Sequence, residues 1–302
     1  MNNLKGVLLV AFGAASYGIL ATIVKLANND GFGTAGLTFS QYLFGAVILS
    51  IGAVLVKRSG KTHQSGSPVS IYPRLRLFLF GTSLGLTSSF YYLSIQYVPV
   101  SVGIILLMQT IWMGVILEFF TARELVRKRK IAGALVAILG TLMAARVFET
   151  DINFSFKGIL YGLLAAVSYT VAIYAANRVS LHLPNMIRSK YLVYGGFLAI
   201  LIFWNIRIIE EFSWEALLKW GIVLGLFGTI LPPVLFNKGI PEIGTGLASI
   251  IAALEIPVSV FSAYLLLSEH IGILQITGIV TILIAMILIN YRRRKKADIP
   301  IH

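Results

Sequence analysis

Long runs without a solvated charge limit this chain more than any other feature. A helix crossing about 30 Å of hydrocarbon needs about 20 consecutive apolar residues. Ten such runs follow one another, at 6–26, 35–56, 76–97, 100–120, 131–147, 158–176, 191–206, 216–237, 247–267 and 271–291. They are continuously apolar, which disfavours membrane β-strands, whose roughly 10 residues alternate in polarity. Composition points the same way: 12% of the residues are charged, against about 25% in an ordinary soluble domain, and the mean hydropathy is +0.86. Lipid must cover what polar groups cannot. The expected fold class is an all-α integral membrane protein of ten transmembrane helices.

The 25 Lys and Arg lie mostly in the connections of one parity, and cytoplasmic loops carry such an excess. On that side fall Lys57, Arg58, Arg74, Arg76, Arg123, Arg127, Arg178, Arg188, Lys190 and the run Arg292 to Lys296. Both termini are therefore expected in the cytoplasm. The formal charge of +13 follows from this topology and does not require a nucleic-acid partner, while the basic tail, 292–302, suits anionic lipid headgroups. The first run is long enough to span and lacks a small-x-small cleavage site, so it is not expected to be a signal peptide. No cysteine is present, which excludes disulfides, thiolate zinc sites and cysteine nucleophiles. The histidines, His63, His182, His270 and His302, avoid the spans, and no phosphate-binding glycine loop occurs. Neither metal, cofactor nor enzymatic activity is expected.

Two stretches match across the chain. Ser16-Tyr17 is answered by Ser168-Tyr169, and Glu124 with Gly133 nine residues on is answered by Glu269 with Gly278. The units are 1–150 and 151–291. Each holds five spans, an odd number, so the second enters the membrane inverted. Inverted repeats allow inward-open and outward-open arrangements around a site near the midplane. Duplication for packing alone is the competing reading.

The paired stretches 102–124 and 247–269 resemble the fourth and ninth helices of the drug/metabolite transporter superfamily, in its EamA-type ten-helix form. In that pattern a proline lies twelve residues before the terminal Glu, as Pro257 does before Glu269; Trp112 is a departure in the first half. The resemblance implies efflux of amino acids or related metabolites from a bacterial cytoplasmic membrane. It also puts the third and eighth helices beside a central cavity and an aromatic at Tyr17 and Tyr169.

Three ionisable groups lie within the spans away from their terminal residues: Lys25, Glu118 and Glu255. Lys25 and Glu118 are near helix ends, where a charge can reach the interface or an ion pair. Glu255 is about 12 Å into its span, where a carboxylate needs a partner, a proton or water. It is the candidate for substrate binding and for proton coupling; a hydrogen-bonded structural acid is the alternative. Thr110, its counterpart counted back from Glu124, has Gln109 and Trp112 beside it, and all three could meet a ligand or join helices. Tyr17, Tyr91, Tyr92, Tyr169 and Tyr174 lie inside spans, and Tyr91-Tyr92 answer Phe236-Asn237, so these phenols and Asn237 are further lining candidates. Pro232, Pro233 and Pro257 are hinge candidates or fixed kinks. With an acid, tyrosines and amides but no Lys or Arg at mid-depth, the expected cargo is zwitterionic, cationic or neutral rather than a phosphate. Export of drugs or cationic compounds and a non-transporting scaffold or channel are the alternatives.

Overall fold

The structure, a computed structural model, describes residues 2–58, 71–121, 128–144, 155–243, 248 and 251–290. His63, Glu124 and the basic tail lie outside them, as do the side chains of Glu118 and Asn237. The helices are α1 (Asn2–Asn29), α2 (Thr34–Arg58), α3 (Tyr72–Tyr97), α4 (Val100–Leu107), α5 (Thr110–Thr121), α6 (Lys128–Ala144), α7 (Phe156–Arg178), α8 (Asn185–Trp204) and α9 (Ile206–Glu211). A continuous run then passes through a π-helical stretch (Ala216–Gly221), an α-helical link (Ile222–Leu224), a second π-helical stretch (Gly225–Ile230) and an α-helix (Leu231–Ile243), together α10. Last come α11 (Glu255–Leu267) and α12 (Ile273–Asn290).

Among the described residues six helical runs are long and apolar enough to cross a membrane, and three shorter apolar helices cover 131–144, 255–267 and 273–288. The α3 helix, expected as a span, is 26 residues long, but its Gly, Ser, Thr and Tyr residues, with Arg74 and Arg76 near its start, lower its apolarity. Bulky apolar side chains such as Phe12, Ile202 and Phe261 point outward, each at least 60% exposed. In water such a surface would aggregate; in a bilayer it is the lipid contact.

The helices meet reciprocally. The α3 helix packs on α7 and α8, and α10 packs on α1 and α2; α11 lies on α1, and α4 with α5 on α7; α2 meets α8, and α6 meets α12. Exchanging α1 with α7, α2 with α8, α3 with α10, α4–α5 with α11 and α6 with α12 leaves the set unchanged, the α2–α8 and α6–α12 contacts mapping onto themselves and the others onto one another. Small residues permit the approach. Gly81, Gly85, Gly195 and Gly196 bring the α3 and α8 main chains together, and Gly140 does so against Gly278 of α12.

The two ends of the bundle differ in charge. At one end Arg76, Arg178 and His182 border a single pocket, and Arg188 donates to the Val179 carbonyl nearby (3.3 Å). Carboxylates finish helices at the other. Glu211 accepts the Ala35 N–H of α2 (2.7 Å), and Glu269 accepts the N–H groups of Val100 and Ser101 (2.6 and 3.0 Å). Each satisfies donors that a helix start leaves free. Glu269→Ala should lower thermal stability by about 1 to 2 kcal/mol through the lost α4 cap, read as a drop in melting temperature of the detergent-solubilised protein.

Candidate functional site

The fourth and ninth spans, expected as continuous helices, are both broken in the middle, at matching places. At Met108-Gln109 the N–H groups of Gln109 and Ile111 reach back only three residues, to Leu106 (3.1 Å) and Met108 (3.0 Å). At Ala253-Leu254 those of Leu254 and Ile256 do the same, to Ile251 (3.0 Å) and Ala253 (3.1 Å). Normal four-residue spacing resumes at Met113 to Gln109 and at Val258 to Leu254. One constant offset, that between Gln109 and Leu254, relates the two sets. A proline lacks the N–H that a ladder needs, yet the first break forms with Trp112 where the second has Pro257, so proline is not the cause of the tight turn.

The two breaks carry opposite chemistry. In the first half the polar groups satisfy one another: Gln109 Nε2 donates to the Ile105 carbonyl (2.9 Å) and to Thr141 (2.8 Å), Trp112 Nε1 donates to Gln109 Oε1 (2.8 Å), and Thr110 pairs with Thr170 of α7 (2.7 Å). Gln109 and Thr110 are buried and Trp112 half-buried. Gln109 and Thr110 join neighbouring helices here, through Thr141 of α6 and Thr170 of α7, while Trp112 bonds within its own span. Gln109→Leu removes an amide that serves three partners, so a loss of about 2 to 3 kcal/mol is expected, measurable as earlier thermal unfolding.

In the second half the first residue of α11 is Glu255 itself. A helix start carries partial positive charge, which suits a carboxylate. Its main chain packs on α1, where the Glu255 carbonyl would lie 2.7 Å from a Cβ placed on Gly18. The Tyr17, Tyr91 and Tyr169 hydroxyls, from α1, α3 and α7, all lie within reach of its charge. Glu255, Tyr17 and Tyr169 are nonetheless only half-buried. A half-buried acid within electrostatic reach of tyrosines from three different helices is a candidate binding group. Tyr17 and Tyr169, matched in sequence, lie within electrostatic reach of each other there.

The other candidates separate. Tyr91 is buried beside Tyr92, ring centroids 6.2 Å apart, and Tyr92 donates to Gln41 of α2 (2.7 Å). Tyr174 packs its ring on Phe80 of α3 (6.1 Å), away from Glu255. Phe236, the counterpart of Tyr91, packs against Tyr17 (6.1 Å) and over Gly13. Pro232 and Pro233 follow the second π-helical stretch, and the Phe227 carbonyl there accepts Ser16 of α1 (2.8 Å). The sequence reading assigned no role to Ser16, Gln41 or Glu269. Each holds main chain or another side chain, a role that the repeat containing Ser16 and Glu269 does not announce.

Comparison with known proteins fits this arrangement. The description of the EamA-like transporter family matches residues 4–146 and again 156–291. This chain belongs to the EamA-like transporter family. It is a multi-pass membrane protein of that family, whose pattern occurs twice along the chain. A curated relative, an uncharacterized transporter YetK of Bacillus subtilis (strain 168), is 27% identical over 191 residues, 61% of this chain. The match spans 57% of that relative's length. A crystal structure of a protein 16% identical superposes with a TM-score of 0.63 over 95% of this chain and 96% of the other, a likeness of fold. The EamA-like assignment makes the half-exposed Glu255 a candidate for the place where cargo is held.

Proposed function

We propose that this chain is a secondary transporter that moves small amino compounds, amino acids or related aromatic amines, out of the cell by alternating access. The observation that carries the reading is Glu255: a carboxylate at the start of a half-helix, half-exposed among Tyr17, Tyr91 and Tyr169. A primary ammonium fits it, since charge-assisted hydrogen bonds are about twice as strong as neutral ones and tyrosine faces attract cations. A multiply anionic phosphate would find no Lys or Arg beside Glu255 among the described residues. Glu255 also accepts a proton when the cargo has left, which couples release to a proton gradient.

The ten spans form two inverted halves, 1–150 and 151–291. The reciprocal contacts and the matching helix breaks support this organisation. The basic end carrying Arg76, Arg178 and His182 faces the cytoplasm, with both termini, in a bacterial inner membrane; the tail 292–302 meets anionic lipid. Breaks in α4–α5 and before α11, with Pro257, Pro232 and Pro233, are where the halves rock, because a helix short of ladder hydrogen bonds bends most readily.

Counterflow into proteoliposomes preloaded with each unlabelled compound tests the reading, using labelled aliphatic and aromatic amino acids, an aromatic amine, a lipophilic quaternary cation and inorganic phosphate. Saturable counterflow of amino compounds is expected, with none of phosphate. Counterflow of the quaternary cation alone would favour drug export, and counterflow of nothing a non-transporting scaffold.

A further inference from the structure

One polar stripe leads from Glu255 to the acidic end of the bundle, and the transporter reading does not account for it. On α11, Glu255, Ser259 and Ser262 stand at i, i+4 and i+7, within about 60° of helix face. On α1, Gly18, Thr22 and Lys25 stand at the same spacing and meet that side of the chain at three successive heights. Gly18 meets the Glu255 main chain, Thr22 pairs with Ser262 (2.7 Å), and Lys25 lies within electrostatic reach of Glu269. From α3, Tyr91 comes beside Ser259, and one turn on the Ile95 carbonyl takes Lys25 Nζ (2.5 Å). Ser259 is 0% and Tyr91 7% exposed, and neither hydroxyl completes a hydrogen bond. Two buried, unpartnered hydroxyls in a membrane protein are costly. Side by side, midway along a polar track, they suit a group that must give and take a proton.

We propose that Tyr91, Ser259, Ser262 and Thr22 form a proton relay joining Glu255 to the end of the bundle that carries Lys25 and Glu269. In one event a hydroxyl O–H bond next to Glu255 breaks as a carboxyl O–H bond forms. Each emptied oxygen takes the proton of the next hydroxyl outward, and water at the mouth supplies the last. The relay is restored and one proton has moved. The groups that face Glu255 are Tyr17 on α1, Tyr91 on α3 and Tyr169 on α7; α4, which also packs on α11, has no titratable residue. Lys25 and Glu269 flank the mouth. On the topology proposed above, that mouth opens outside, so protons enter as cargo leaves. This rests on the proposed role of Glu255.

The test needs no cargo. A hydrophobic carbodiimide adds only to a protonated buried carboxyl, so its labelling of Glu255, read by peptide mass, reports where the proton comes from. In right-side-out membrane vesicles with the lumen held at about pH 9, lowering the outside from about pH 9 to about pH 7 should raise wild-type labelling about tenfold. Ser259→Ala should flatten that response to less than about twofold, and Ser259→Thr, which keeps the hydroxyl, should restore it. Tyr91→Phe should act like Ser259→Ala. Each variant must match the wild type in melting temperature. Labelling that follows the lumen pH, or an unchanged response in Ser259→Ala, would overturn the relay. Amino-compound counterflow could persist in that case, so the two readings fail separately.

Discussion

Glu255→Ala is expected to cut the apparent affinity for an amino compound on the order of a hundredfold in counterflow, about 3 kcal/mol. The carboxylate is the only acidic side chain within electrostatic reach of Tyr17 and Tyr169 among the described residues, so no neighbour there replaces its charge-assisted contact with an ammonium. The variant should also be at least as stable as the wild type. A half-buried carboxylate without a matching cation loses much of its hydration, at a cost in free energy, and its removal relieves that cost. Loss of transport with unchanged or raised melting temperature therefore separates a binding acid from a structural one. Glu255→Gln keeps the shape and a hydrogen-bonding amide but cannot ionise, so it should weaken ammonium binding by a similar amount and abolish any response to a pH gradient. Equal transport in Glu255→Ala and wild type would remove Glu255 from the site.

The largest loss of stability is expected from Gly195→Leu. A Cβ at this position would collide with the Phe78 carbonyl of α3, and beyond it lies the Gly81 main chain. Main chain cannot turn aside as a flexible side chain can, so α3 and α8 must separate along the interface that Gly81, Gly85 and Gly196 also form. Overpacking of a tight core costs about 1 to 3 kcal/mol and occasionally more; a whole isobutyl group against backbone belongs at the upper end. Poor yield of monodisperse protein and a melting temperature lowered by several degrees are expected. Gly114 is the control. It has nothing within 4 Å of its Cβ position, so Gly114→Ala should leave folding intact.

How much of this was legible in the sequence depends on the kind of signal. Hydrophobic runs are long and cumulative, so the all-helical membrane class was visible in them, while the paired stretches 102–124 and 247–269 carried the family resemblance and Glu255 stood out as an acid where acids are expensive. The helix breaks were not visible. They rest on a few main-chain hydrogen bonds shifted from four-residue to three-residue spacing, and Trp112 in the first half gives no warning of one. Gln109, Thr110 and Trp112 were read as possible ligand contacts from residue type, which does not reveal that they bond to Ile105, Thr141, Thr170 and one another. Tyr91 and Tyr174, both mid-span tyrosines, were indistinguishable until the chain folded. One lies beside Ser259 near Glu255, the other against Phe80. The serines and threonines of the α1–α11 stripe are common in membrane helices and stand out only once the two faces are brought into register.

Water access at the level of Glu255 is the most direct measure of whether the cargo site lies there. The chain has no cysteine, so a single introduced thiol reports unambiguously. Tyr17→Cys and Tyr169→Cys should react with a hydrophilic thiol reagent and be protected by a transported amino compound, while Leu164→Cys, on the exposed apolar face of α7, should not react. Unreactive thiols at both tyrosine positions, or reaction that no transported compound slows, would contradict a cargo site at Glu255.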